Sequence, residues 1–146
     1  MFRSVLTVCV GNICRSPMAE GLFLSQCRAS GRDVRVESAG ISALIGHPAD
    51  PSAIDLMLER DIYISDHRAR QLTFDVMRGF DLVLVMESRH RDRIEQLSPL
   101  TRGRVFTLGH WDQFEIPDPY RRPRAAFEEA LRLIDRGVTS WMRYLQ

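Results

Sequence analysis

Apolar residues along this chain come in two rhythms, short unbroken runs and wider stripes at three- and four-residue spacing, and their alternation predicts the architecture. Val5-Leu6-Thr7-Val8 is the first run, apolar and β-branched and stopped by a glycine-containing turn; it predicts a buried strand with Cys9 at its carboxyl end. Ser16-Pro17 followed by Met18-Ala19-Glu20 predicts a helix starting near Pro17, with Ser16 as a cap-like residue, a proline suited to the first turn and an acidic group there. Val34 to Ser38 alternates as a second strand, and Ala39 to Asp50 reads as a loop rich in glycine, alanine and proline. Pro51 opens a helix in which Ile54, Met57 and Leu58 recur at helical spacing, before a polar stretch containing His67-Arg68-Ala69-Arg70.

Leu82 to Met86 is the clearest buried strand, a charged helix spans about Ser88 to Gln96, and Val105 to Leu108 is a fourth strand. A long loop through Pro117-Asp118-Pro119-Tyr120 follows. Phe127, Ala130, Leu131, Ile134, Val138, Trp141, Met142 and Leu145 then fall on one stripe of a terminal helix expected to cover the sheet. Strands alternating with helices argue for a parallel sheet with right-handed crossovers and helices on both faces. Ligands of such sheets bind beyond the carboxyl ends of the strands, which is where Cys9 is expected.

Composition narrows the classes. A chain of 146 residues is the size of one domain, and no linker or repeat divides residues 1–146. Hydrophobic residues make up 45% and the net charge is +1, which fits a globular protein and argues against disorder or a nucleic-acid-coating surface. No apolar run approaches the ~20 residues of a membrane span, and Met1-Phe2-Arg3-Ser4 leads straight into the first strand, so neither insertion nor a signal peptide is expected. Three cysteines, two of them in one loop, do not form an even disulfide framework, and a reducing cytoplasm is the expected location. All 20 basic residues are arginine and Asn12 is the only asparagine. Lysine and asparagine codons both begin with two adenines, so a GC-rich genome depletes both, and an asparagine that survives is informative.

The chemistry concentrates in Cys9-Val10-Gly11-Asn12-Ile13-Cys14-Arg15-Ser16. A tight loop running into a helix N-terminus offers backbone N–H groups and the helix dipole to a phosphate. Five residues separate Cys9 from Arg15, a spacing that lets a curled loop set the sulfur below phosphorus while a guanidinium fork grips two oxygens. Donors that hold phosphate also favour a thiolate, and the Ser16 hydroxyl can donate to the sulfur as nucleophile and as leaving group. Asn12 suits a bend because asparagine tolerates left-handed backbone angles.

With these residues the chain resembles the low-molecular-weight protein tyrosine phosphatases, whose loop has the form Cys-x-Gly-Asn-x-Cys-Arg-Ser-Pro. The match runs from Cys9 to Pro17 and is reinforced by Ser38-Ala39-Gly40, His67-Arg68-Ala69-Arg70-Gln71 and Asp118-Pro119-Tyr120. Gly109-His110-Trp111-Asp112 and Ile116 to Arg122 look like the bacterial branch encoded with capsule and exopolysaccharide genes. The resemblance implies a flavodoxin-like phosphatase fold with a parallel sheet in the order 2-1-3-4, phosphotyrosine hydrolysis through a phosphocysteine intermediate, and no cofactor; Cys9 and Cys14 could pair on a metal, but no second cysteine or histidine pair of matching spacing follows, so none is expected. It implies Cys9 as nucleophile, Arg15 as phosphate clamp and Asp118 as general acid. Val10, Gly11, Asn12, Ile13, Cys14 and Ser16 would form the substrate loop, with Ile13, Leu44 and Tyr120 as the rim around the substrate ring. His67 would support the loop through Ser16. The implied partner is a phosphotyrosine protein, the tail of a bacterial tyrosine kinase, met by a monomer. Leu44 replaces the bulky aromatic of many animal members and Arg121 follows Tyr120, so peptide preference is expected to differ from theirs.

Asp118 stands between two prolines that restrict its backbone, a setting that Asp81, Asp112 and Glu115 lack. Three alternatives stay open on the residues alone. A thioredoxin-coupled arsenate reductase shares the loop, but its relay of further cysteines is absent after Cys27. A silent phosphotyrosine-binding module would need the loop and arginine but not Cys9, Ser16 and Asp118 together. Cys14 is either a small buried residue or a guard that pairs with Cys9 on oxidation.

Overall fold

The computed structural model describes all 146 residues. Four parallel strands, β1 (Ser4–Cys9), β2 (Arg35–Gly40), β3 (Leu82–Val85) and β4 (Val105–Thr107), form one sheet in the order β2-β1-β3-β4. Between them run α1 (Arg15–Ala29), α2 (Pro51–Leu58), the short α3 (Phe74–Met77) and α4 (Ser88–Leu97), and α5 (Arg124–Met142) closes the chain. The expected strand order and the alternation of strand with helix are both present.

The sheet is buried on both faces, so its strands read as continuous apolar runs rather than alternating ones. Val5, Leu82 and Leu84 face a core filled by α1, α2 and α5, including Met18, Phe23, Met57, Phe127, Ile134 and Trp141. Leu6, Val8, Val83 and Val85 point the other way, onto Met77, Phe80 and Ile94 from α3, α4 and the segment between them. The stripe foreseen for the terminal helix is buried from Phe127 to Met142, and the Trp141 indole donates to the carbonyl of Leu108, 3.0 Å away, tying α5 to the end of β4.

Four local expectations are corrected. Ser16 does not cap α1: the helix starts at Arg15 after Cys14, without a side-chain cap, because the Ser16 hydroxyl is engaged elsewhere. Glu20 consequently lies beyond the first turn. Leu58 is exposed, since the buried face of α2 is Ala53, Leu56 and Met57 and the Asp50 cap fixes that phase. Leu145 is buried beyond the end of α5, in a bridge with Phe2. The four-residue α3, capped by Thr73, is too short to show a helical stripe.

Candidate active site

β1 delivers Cys9 to the carboxyl edge of the sheet, and the next five residues turn back beneath it before α1 begins. The turn depends on Asn12, which adopts φ 59°, a left-handed angle that asparagine tolerates better than most residues. Its side chain then serves as a hub. Nδ2 donates to Ser16 Oγ at 2.8 Å and to Ser38 Oγ at 3.0 Å, and Oδ1 accepts from the amide of Arg70 at 2.9 Å. Behind it the Ser38 hydroxyl donates to Glu20 Oε1 at 2.6 Å.

The loop carbonyls are all tied from outside. The amides of Ile41, Ser42, Leu44 and Asp50 donate to the carbonyls of Cys9, Val10, Gly11 and Ile13 at 3.0, 2.9, 3.0 and 2.8 Å, and His67 Nε2 meets the carbonyl of Asn12 at 2.6 Å. With the oxygens turned outward, the amides from Gly11 to Arg15 donate to no protein acceptor and face inward, the arrangement of an anion nest. Gly40 permits this packing: a Cβ there would stand 2.6 Å from the carbonyl oxygen of Val10.

Around the nest lies a cavity of about 340 Å³ lined by Cys9, Val10, Gly11, Ile13, Cys14, Arg15, Leu44, Asp118 and Tyr120, all singled out in the sequence, together with Ser42 and Arg121. Asn12 and Ser16 do not line it; they lie behind the loop, fully buried. Cys9 Sγ is 2.9 Å from Ser16 Oγ, so the serine hydroxyl is free to donate to the sulfur while accepting from Asn12. His67 supports the loop through the Asn12 carbonyl rather than through Ser16, because its ring reaches the backbone first.

Arg15 is 1% exposed. Its Nη1 donates to Glu87 Oε2 at 2.7 Å and to the carbonyl of Ile116 at 2.8 Å, Nη2 lies 3.7 Å from Asp118 Oδ2, and Nε has no protein partner. The guanidinium is thus held at one corner, leaving its Nε side for a ligand. Glu87 is not legible as a site residue in the sequence, where it reads as the start of a charged helix. Burial works against its charge, but the hydrogen bond and positive charge of Arg15 prevail and hold its carboxyl below the usual range. Burial raises the Glu20 carboxyl, with the Ser38 hydrogen bond and His67 opposing. Burial likewise pushes the Cys14 thiol up, aided by Asp50 and by Cys9.

Asp118 sits on the opposite wall, partly exposed, with Oδ1 accepting from the amide of Tyr120 at 3.1 Å. The arrangement places a thiol at the base, a buried cation beside unpaired amides that can hold an anion, and a carboxyl group at the mouth.

The family profile described as "Low molecular weight phosphotyrosine protein phosphatase" matches residues 4–146. The chain is 50% identical to a protein of Ralstonia nicotianae named "Probable low molecular weight protein-tyrosine-phosphatase EpsP", over 97% of this chain and 95% of that one. It is 44% identical to "Low molecular weight protein-tyrosine-phosphatase Wzb" of Escherichia coli K12, over 99% and 97%. Among solved structures, Vibrio vulnificus Wzb in complex with benzylphosphonate superposes with a TM-score of 0.93 at 39% identity, covering 99% of this chain and 100% of that one.

Proposed function

This chain belongs to the low molecular weight phosphotyrosine protein phosphatase family and is a protein-tyrosine-phosphatase, and from that premise we propose that Cys9, Arg15 and Asp118 carry its phosphocysteine chemistry. The observation that supports these roles most is the placing of Cys9 Sγ, 2.9 Å from the Ser16 hydroxyl, at the base of the one cavity that Arg15 and Asp118 also line.

In the first step the Cys9 thiolate forms a bond to phosphorus as the bond to the phenolic oxygen breaks, and Asp118 gives its proton to that oxygen. In the second, Asp118 takes a proton from water as the water oxygen attacks phosphorus and the sulfur leaves. The hydroxyl of Ser16 stabilises the sulfur anion at the start and again as it departs. Arg15 and the amides of Gly11 to Arg15 hold the equatorial oxygens throughout, a preorganised field that needs no rearrangement when charge develops. Ile13, Leu44 and Tyr120 form an apolar rim for the phenyl ring, and the benzylphosphonate held by the Vibrio relative supports an aryl ligand here.

The substrate we assign is the phosphorylated tail of a bacterial tyrosine kinase controlling exopolysaccharide or capsule production, following the resemblance to that branch, and the enzyme acts on it as a cytoplasmic monomer. One feature supports the compartment: the three cysteines are unpaired.

Leaving-group dependence tests the roles. For Asp118→Ala, turnover of phenyl phosphate should fall by about 10²–10⁴-fold, and turnover of esters with acidic phenols far less. Equal losses on both would assign Asp118 a structural part.

A further inference from the structure

A second cavity, of about 500 Å³, opens beside the first and shares Val10, Ser42 and Asp118 with it. Its other walls come from Ile41 and from the first two turns of α4, through Arg89, His90 and Arg93. Cations are unusual there, because the positive end of the helix dipole disfavours them. α4 nevertheless begins Ser88-Arg89-His90-Arg91-Asp92-Arg93, with no acidic residue in its first turn. Glu87, before the helix, is turned toward Arg15 and Arg89. The exposed Arg93 guanidinium has no carboxylate partner and no hydrogen bond within the protein.

His90 adds an independent sign. It is 4% exposed, lines this cavity, and neither ring nitrogen makes a hydrogen bond. Nε2 does come within 3.4 Å of Glu87 Oε2, but without hydrogen-bond geometry. A buried imidazole with both nitrogens unsatisfied is costly unless something supplies a partner.

We infer that this cavity is an anion subsite, in which Arg93, with His90 beside it, receives a second negatively charged side chain of the substrate, a phosphoryl or carboxylate group within a few residues of the phosphotyrosine. The inference rests on the reading of the Cys9 cavity as the phosphotyrosine site. Because the two cavities share a wall, neighbouring side chains of one extended peptide can enter both. The second cavity is the larger, so it has room for a phosphorylated side chain as well as for glutamate. Asp118 is the one carboxylate on the shared wall, and the mechanism has it enter the first step protonated. The subsite therefore selects among phosphotyrosine peptides by charge, without taking part in bond cleavage.

The test uses three phosphotyrosine peptides of one length, with neutral, glutamate and phosphoserine neighbours, and phenyl phosphate as a separate readout of the Cys9 cavity. Wild type should prefer each charged peptide over the neutral one by about fivefold or more in kcat/KM at low salt, phosphoserine exceeding glutamate, with the preference shrinking as salt is raised. Arg93→Gln should bring the ratio close to one, and Arg93→Lys should keep part of it. If wild type hydrolyses phenyl phosphate but treats the three peptides alike, the subsite is rejected while the phosphatase reading stands. A charge preference that persists in Arg93→Gln also rejects it and points to Arg121. Failure to hydrolyse phenyl phosphate would overturn the reading beneath it.

Discussion

Arg15 has to be buried, charged and correctly aimed before any phosphate arrives, and Glu87 is the group that meets all three demands. It neutralises a side chain that is 1% exposed and fixes one corner of the guanidinium, while Nε is left without a protein partner. Removing one member of a buried ion pair strands the other, which costs about 3–5 kcal/mol. Glu87→Ala should therefore destabilise the protein at pH 7 by about 3 kcal/mol and lower kcat/KM. The Glu87 carboxyl lies below its usual range in the folded protein, so its contribution is complete above the unfolded value of about 4.3 and is lost as pH falls through the folded value. Denaturant unfolding at stepped pH should show the gap between wild type and variant closing in acid. A gap independent of pH would mean that the ion pair is not its source. At this scale Cys9, Asn12 and Arg15 stood out through their spacing and backbone setting, and Asp118 through the family resemblance. Glu87 was hidden, since only the fold brings the residue after β3 to the guanidinium.

The elements succeed through the way they hold one another's backbones. β1 and α1 supply the loop, but its shape is imposed largely by the segment after β2, whose amides take the carbonyls of Cys9, Val10, Gly11 and Ile13, with His67 meeting that of Asn12. That cross-linking has no signature in either segment alone, and the run from Ala39 to Asp50 read only as an irregular loop. The same blindness made Ser16 look like a helix cap, when Cys9 and Asn12 had already claimed its hydroxyl. Gly40 is a point of close contact between the two segments. Gly40→Ala would set a Cβ 2.6 Å from the Val10 carbonyl oxygen, so strand or loop must shift. The variant should lose about 1–3 kcal/mol of stability, and its affinity for inorganic phosphate should fall by about tenfold or more as the nest opens. Thermal unfolding and phosphate inhibition constants measure the two effects. Unchanged phosphate affinity in a destabilised protein would show that the nest does not depend on this contact.

Across the whole molecule, three strand ends build one site. Cys9 comes from β1, Glu87 follows β3, and Asp118 lies on the loop after β4. In the order β2-β1-β3-β4 the direction in which strands are added reverses between β1 and β3, which is the crevice where parallel sheets take ligands. The sheet order was legible in the alternation of runs and stripes together with the family resemblance, whereas the second cavity, made by β2's loop and α4, was not. All of this geometry converges on one sulfur atom, and rapid-quench mapping tests that convergence most directly. Wild type is mixed with a phosphotyrosine peptide carrying radioactive phosphate, stopped within milliseconds and cleaved for peptide mapping. The account predicts label on the Cys9 peptide that rises and decays within one turnover, and neither label nor turnover in Cys9→Ala. Full turnover by wild type without label on Cys9, or near-normal turnover by Cys9→Ala, would contradict it.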